Sequence, residues 1–150
     1  MESPFLSLVD GMELRSHDAG EEVIEQGALT GEMLVLISGA VEVLRDGVRV
    51  ARSREPGVVF GEMSALLRQP ATATVRAAEH CEFKVIPDPR GFLVGHPEAS
   101  LFVAELLARR LNELNLYLVD VKRQYQGHDH LSMVDDVLDS LMHRPRRIQG

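Results

Sequence analysis

Up to about Ile86 the chain alternates apolar and polar residues with a period of two. Val41 and Val43 alternate with Glu42, and Val48 and Val50 with Arg49. Ala73, Val75 and Ala77 alternate with Thr74 and Arg76, and Cys81, Phe83 and Val85 with Glu82 and Lys84. That period places one apolar face of each segment inward and predicts half-buried antiparallel strands. Met33 to Ile37 is a continuous apolar run, which predicts a strand buried on both faces. Asp46-Gly47 between two alternating runs predicts a tight hairpin, because glycine takes positive φ at little cost. Ten of the 12 glycines lie at or before Gly95, and from Gly20 to Gly61 they recur every four to ten residues, the spacing of turns between short strands. Many short strands with regular turns point to a sandwich or jelly roll.

Pro87 and Pro89 end the strands, and after Pro97 the period changes. Ala104, Leu107, Leu111, Leu114, Leu118, Val121 and Tyr125 recur at intervals of 3, 4, 3, 4, 3 and 4. This predicts one long helix over 97–126 carrying a heptad seam suited to a two-stranded coiled coil. The seam serves either a second copy or the β part of its own chain. Leu106, Leu116, Tyr117 and Val119 lie off it, so the helix has apolar surface for both. A polar linker, Gln126 to His130, leads to an amphipathic stretch, Met133, Val134, Val137, Leu138 and Leu141.

Composition narrows the classes of function. The 150 residues fit one domain. Sixteen Lys and Arg against 23 Asp and Glu give −7, which disfavours nucleic acid or an acidic membrane as the main partner. The lone Cys81 excludes an internal disulfide and fits a reducing compartment. No apolar run approaches the roughly 18 residues that span a bilayer. The N-terminus lacks the basic start and apolar core of a signal peptide, so the expected location is the cytoplasm.

Catalytic signatures are weak. His128 and His130 flank Asp129, but two histidines in a linker do not make a four-ligand metal site. Cys81 lies on an apolar strand face, as a small inert hydrophobe. Neither a G-x-S-x-G nor a G-x-x-x-x-G-K-[ST] motif occurs, and no enzyme activity, metal or cofactor is expected. The segment 58–77, VVFGEMSALLRQPATATVRA, is different. A strand ends at Phe60, Gly61 turns, and Glu62 to Leu67 start a short helix whose first N–H groups lack partners. Glu62 either caps that helix or accepts hydrogen bonds from a sugar hydroxyl beside an anion subsite.

Phe60-Gly61-Glu62-Met63-Ser64 followed by Pro70-Ala71-Thr72-Ala73-Thr74-Val75 resembles the phosphate-binding cassette of the cyclic nucleotide-binding domain family. The turns around Gly20, Gly27 and Gly39 agree with it, and the similarity covers about residues 5–126. The resemblance implies a mainly β fold with α: an antiparallel β jelly roll (12–86), a hinge helix (87–96) and a long C-terminal helix (97–126), with linker, helix and tail over 127–150. It implies cAMP or cGMP as ligand, with Glu62 on the ribose 2′-hydroxyl. Backbone N–H groups near Gly61, Met63, Ser64 and Thr72 would hold the cyclic phosphate, and Thr74 would border the purine. The long helix would supply the lid and a homodimer contact through Leu107, Leu111, Leu114, Leu118, Val121 and Tyr125.

Ala71 departs from the family, whose cassette has there the arginine that pairs with the phosphate. Arg68 either reaches round as a substitute or stays on the surface, and Arg76 belongs to the ordinary continuation of the strand. The expected function is therefore a regulatory sensor with weakened or altered nucleotide binding. The alternative is a ligand-independent dimeric scaffold that docks an unidentified protein. Only 24 residues follow Gln126, too few for a helix-turn-helix domain, so direct DNA binding is not expected.

Overall fold

A computed structural model describes residues 3–124 and 131–143. The elements run α1 (Phe5–Leu8), β1 (Leu14–His17), β2 (Glu22–Ile24), β3 (Met33–Ser38), β4 (Val41–Arg45), β5 (Val48–Ser53), β6 (Val59–Phe60), α2 (Glu62–Leu67), β7 (Thr74–Ala77), β8 (Cys81–Ile86), α3 (Pro89–Gly95), α4 (Pro97–Gln124) and α5 (Leu131–Met142). Tyr125, His128, Asp129 and His130 lie outside the described residues.

Among the described residues, eight strands form two antiparallel four-stranded sheets, ordered β1-β8-β3-β6 and β2-β7-β4-β5, which make a jelly roll. The alternation is the cause. Cys81, Phe83 and Val85 of β8 are buried while Glu82 and Lys84 are half-buried, and Val75 and Ala77 of β7 are buried while Thr74 and Arg76 are not. The inward residues of both sheets meet in one core that includes Leu34, Leu36, Phe60, Phe83, Val41 and Val75. Phe60 and Phe83 meet edge to face with centroids 6.4 Å apart. Of the predicted run Met33 to Ile37, Met33 to Leu36 are all buried, because β3 lies between β8 and β6 and α1 packs on it, and Ile37 is half-buried. Phe5 of α1 is fully buried and stacks on Phe92 of α3 with centroids 5.8 Å apart.

The hairpin at Asp46-Gly47 forms as the sequence predicts, with φ of 52° and 79° at the two turn residues. The strand after it departs from expectation. Val48 and Val50 are 65% and 60% exposed rather than half-buried. β5 is the edge of its sheet, paired only with β4, and the register between them shifts at Val43/Leu44. Alternation alone does not say whether an opposing sheet covers the face it defines.

Cys81 is fully buried, and burial pushes its thiol up, away from the thiolate form that reacts. Arg76 points to the outer face of its sheet and holds Glu42 at 2.9 Å, with Arg49 at 3.5 Å. The Arg76 hydrogen bond, first among the causes, keeps the Glu42 carboxyl below its ordinary range. The stabilisation this gives is present above the unfolded carboxyl pKa and is lost as pH falls through the lower, folded value.

The chain divides into two compact units, one ending at Val103 and the other beginning at Ala104. In the first, Ala99 and Val103 of α4 are buried and Phe102 meets Phe5 edge on at 5.9 Å. In the second, Leu111 and Leu114 are 40% and 45% exposed, and Leu107, Leu118 and Val121 are half-buried. Leu116 and Tyr117 are exposed off that seam, and Lys122 pairs with Asp135 of α5.

Candidate functional site

The site is built where β6 hands over to α2. The chain must leave the sheet sharply after Phe60, and Gly61 does so with φ of 89°. A Cβ at that position would lie 2.9 Å from the carbonyl oxygen of Glu32, so the turn requires glycine. Gly61 is the N-cap of α2, and no side chain caps the helix there. Glu62 follows at the first position of the helix and is 5% exposed, the buried charged residue among the described residues. Burying a carboxyl costs free energy unless polar partners meet it, so its position is a specific feature of the fold. Met63 is exposed, and the Ser64 hydroxyl donates to the carbonyl of Gln69.

The second half of the cassette is tied to the loop between β2 and β3. Ala71 donates its N–H to the carbonyl of Ala28, and its own carbonyl accepts from Gly27, each at 2.8 Å. The Ala71 side chain is partly buried against the core. Thr72 is half-buried. The Thr74 hydroxyl accepts from the Gln26 N–H at 3.0 Å. Gln26 then spans to the hairpin: its amide nitrogen donates to the Asp46 carboxylate at 2.8 Å, and its amide oxygen accepts from the Asp46 N–H at 2.9 Å. One glutamine thus joins the Thr74 edge of the cassette to the β4–β5 turn. Sequence reasoning did not single out Gln26 or Ala28, since a lone glutamine beside a glycine and a backbone carbonyl carry no pattern.

Three arginines, Arg68, Arg76 and Arg90, lie on the elements that flank the cassette. Arg68 ends α2 in a left-handed conformation, φ 55°, and is exposed. It lines a pocket of about 290 Å³ together with Leu29, Ser64, Asp88 and Arg90. Arg90 donates to the Leu66 carbonyl at 3.2 Å. Arg76, on the outer face, is held by Glu42.

This arrangement has a counterpart in known proteins. Residues 14–90, more than half of the chain, match the cyclic nucleotide-binding domain family. The chain belongs to that family. Among relatives of this cyclic nucleotide-binding domain, a cAMP-dependent protein kinase regulatory subunit of Yarrowia lipolytica is 37% identical over 75 residues, covering 50% of this chain and 20% of that protein. The Pycsar effector protein XpPycTIR of Xanthomonas perforans is 32% identical over 142 residues, covering 89% of this chain and 46% of that protein. The chain thus spans less than half the length of either relative. The crystal structure of the Thermus thermophilus Catabolite Activator Protein shares the fold, with a TM-score of 0.66 at 24% identity over 94% of this chain and 82% of that one. No helix among the described residues is long and apolar enough to cross a membrane.

Proposed function

We propose that the chain is a regulatory sensor module that takes a cyclic nucleotide, cAMP or cGMP, at the cassette and signals through its C-terminal helix. The observation that carries this reading is Glu62, buried at the head of α2 directly after the left-handed Gly61. A carboxylate there serves the ribose 2′-hydroxyl, and Gly61, Met63, Ser64 and Thr72 surround the phosphate. Affinity is weakened because Ala71 stands where the family places its phosphate-pairing arginine. No residue is given a catalytic role, and no metal or cofactor is required. In a thermal-shift titration, cAMP or cGMP at about 100 times its Kd adds roughly 2.7 kcal/mol of stability, a rise on the order of 5–10 °C. No rise at millimolar ligand would leave the second reading, a ligand-independent scaffold, which Ala71 favours.

Under either reading the helix seam pairs with a second copy. Leu111 and Leu114 are exposed on one chain, and Leu107, Leu118 and Val121 continue the same stripe. Two-stranded packing would cover that stripe by knobs-into-holes contacts. Leu114→Lys with Leu118→Lys is expected to yield a monomer by light scattering, since two charges would have to be desolvated in the seam. A dimer that survives dilution would refute the seam as the interface.

A further inference from the structure

The cavity of about 290 Å³ that Arg68 and Arg90 line is a different place from the cassette: Ser64 lines it, but Gly61, Glu62, Ala71 and Thr72 do not. Its walls are apolar and its charges are unequal. Leu29, which is 67% exposed, lines it together with Ala65 and Pro89. Two arginines share the lining with one carboxylate, Asp88, an excess of one positive charge in a chain of net charge −7. The Asp88 carboxylate caps its own helix α3, accepting from the Gly91 N–H at 3.3 Å. Arg90 gives one of its five N–H groups to the Leu66 carbonyl at 3.2 Å, which leaves the others for a ligand. Among the described residues no hydrogen bond or ion pair holds the Arg68 guanidinium. Arg68 also ends α2 with φ of 55°, where an L side chain is strained and glycine is the favoured residue. Asp46, the other non-glycine residue at positive φ among the described residues, is anchored by Gln26. The Arg68 side chain has no such anchor, and a strained residue that its own fold does not use is a mark of a site.

We propose that this cavity is a second ligand site, for a small organic acid whose carboxylate meets Arg68 and Arg90 and whose short apolar body lies against Leu29, Ala65 and Pro89. A guanidinium meets a carboxylate with two parallel donors, so the arginines supply both charge and direction. An inorganic anion would leave the apolar walls unused, and an uncharged molecule would leave the guanidiniums unpaired. The volume lies at the low end for ligand pockets, which restricts the acid to a small one. The site stands whether or not the cassette takes a nucleotide.

The test is an amide NMR titration of the full ¹⁵N-labelled chain with benzoate and hexanoate, beside benzamide, hexanamide and inorganic phosphate in one buffer. At least one of the two acids is expected to give saturable shifts at Leu29, Ala65, Arg68 and Arg90, with a Kd of about 1 mM or tighter. Its amide and inorganic phosphate are expected to bind at least about 10-fold more weakly, as loss of one hydrogen bond to a charged group implies. No saturable shift with either acid up to about 10 mM overturns the proposal, as do shifts centred on Gly61, Glu62 and Thr72. An amide that binds as tightly as its acid removes the anion from the recognition, and phosphate that binds as tightly removes the apolar body; either result overturns it too. Arg68→Gly keeps the fold in reach of the test, because glycine suits the left-handed end of α2. That variant is expected to hold or raise Tm while binding the acid at least about 10-fold more weakly. Unchanged affinity in folded Arg68→Gly would place the acid elsewhere and overturn the proposal.

Discussion

Gly39→Ala is expected to destabilise the jelly roll by about 3 kcal/mol or more, at the high end of single-residue effects, and to lower Tm by about 10 °C. Gly39 turns the chain from β3 to β4 with φ of 97°. An added Cβ would lie 2.4 Å from the carbonyl oxygen of His80 and 2.8 Å from the Cα of Cys81, both backbone atoms that have no room to yield. Cys81 sits in the core, and its thiol donates to the Ala40 carbonyl, so the turn and β8 are packed against each other from both directions. Gly20→Ala separates the two sources of cost. Gly20 has φ of 89°, but nothing lies within 4 Å of an added Cβ. That variant carries the left-handed backbone cost alone, about 1–2 kcal/mol. Thermal unfolding followed by circular dichroism checks both, and equal losses in the two variants would contradict the close approach at Gly39.

Ala71→Arg is expected to tighten cyclic nucleotide binding by roughly 10- to 150-fold. A hydrogen bond to a charged group contributes about 1.5–3 kcal/mol, and a guanidinium meets a phosphate with two parallel donors. Every 1.4 kcal/mol is about tenfold in Kd. The backbone at residue 71 is already fixed by its two 2.8 Å hydrogen bonds to residues 27 and 28, so the new side chain would start from a defined anchor. Isothermal titration with cAMP and cGMP reads the change. No gain in the folded variant would mean that the loop aims residue 71 away from the phosphate.

Much of the fold was legible because its cause is periodic. Alternation located β4, β7 and β8, the unbroken run Met33 to Ile37 marked β3, buried as far as Leu36, and Asp46-Gly47 fixed the hairpin. The helix over Glu62–Leu67 followed from the glycine turn before it, and α4 from the change of period after Pro97. The exposure of Val48 and Val50 was not legible, because edge position depends on strand order, a non-local property. α1 is four residues long, too short for a periodic signal, yet its Phe5 is fully buried between Phe92 and Phe102.

The candidate site was legible as a motif rather than as a geometry. Gly61 and Glu62 stand out in the sequence, and the positive φ and the burial give physical reasons for both. What the spacing could not carry is how hydroxyls and loops are committed. Ser64 spends its hydrogen on Gln69, Thr74 accepts from Gln26, and Arg68 lines a pocket with Leu29 and Arg90. Each depends on a partner distant in sequence or on the sense in which a short helix ends.

The most direct test of the cassette as a ligand pocket is an amide NMR titration of the ¹⁵N-labelled chain with cAMP and cGMP in turn. At least one of them is expected to give saturable shifts centred on Gly61, Glu62, Met63, Ser64 and Thr72, with smaller ones at Gly27 and Ala28, which are hydrogen-bonded to Ala71. Spectra that stay unchanged with both at millimolar concentration, or shifts confined to residues outside the cassette, would contradict it.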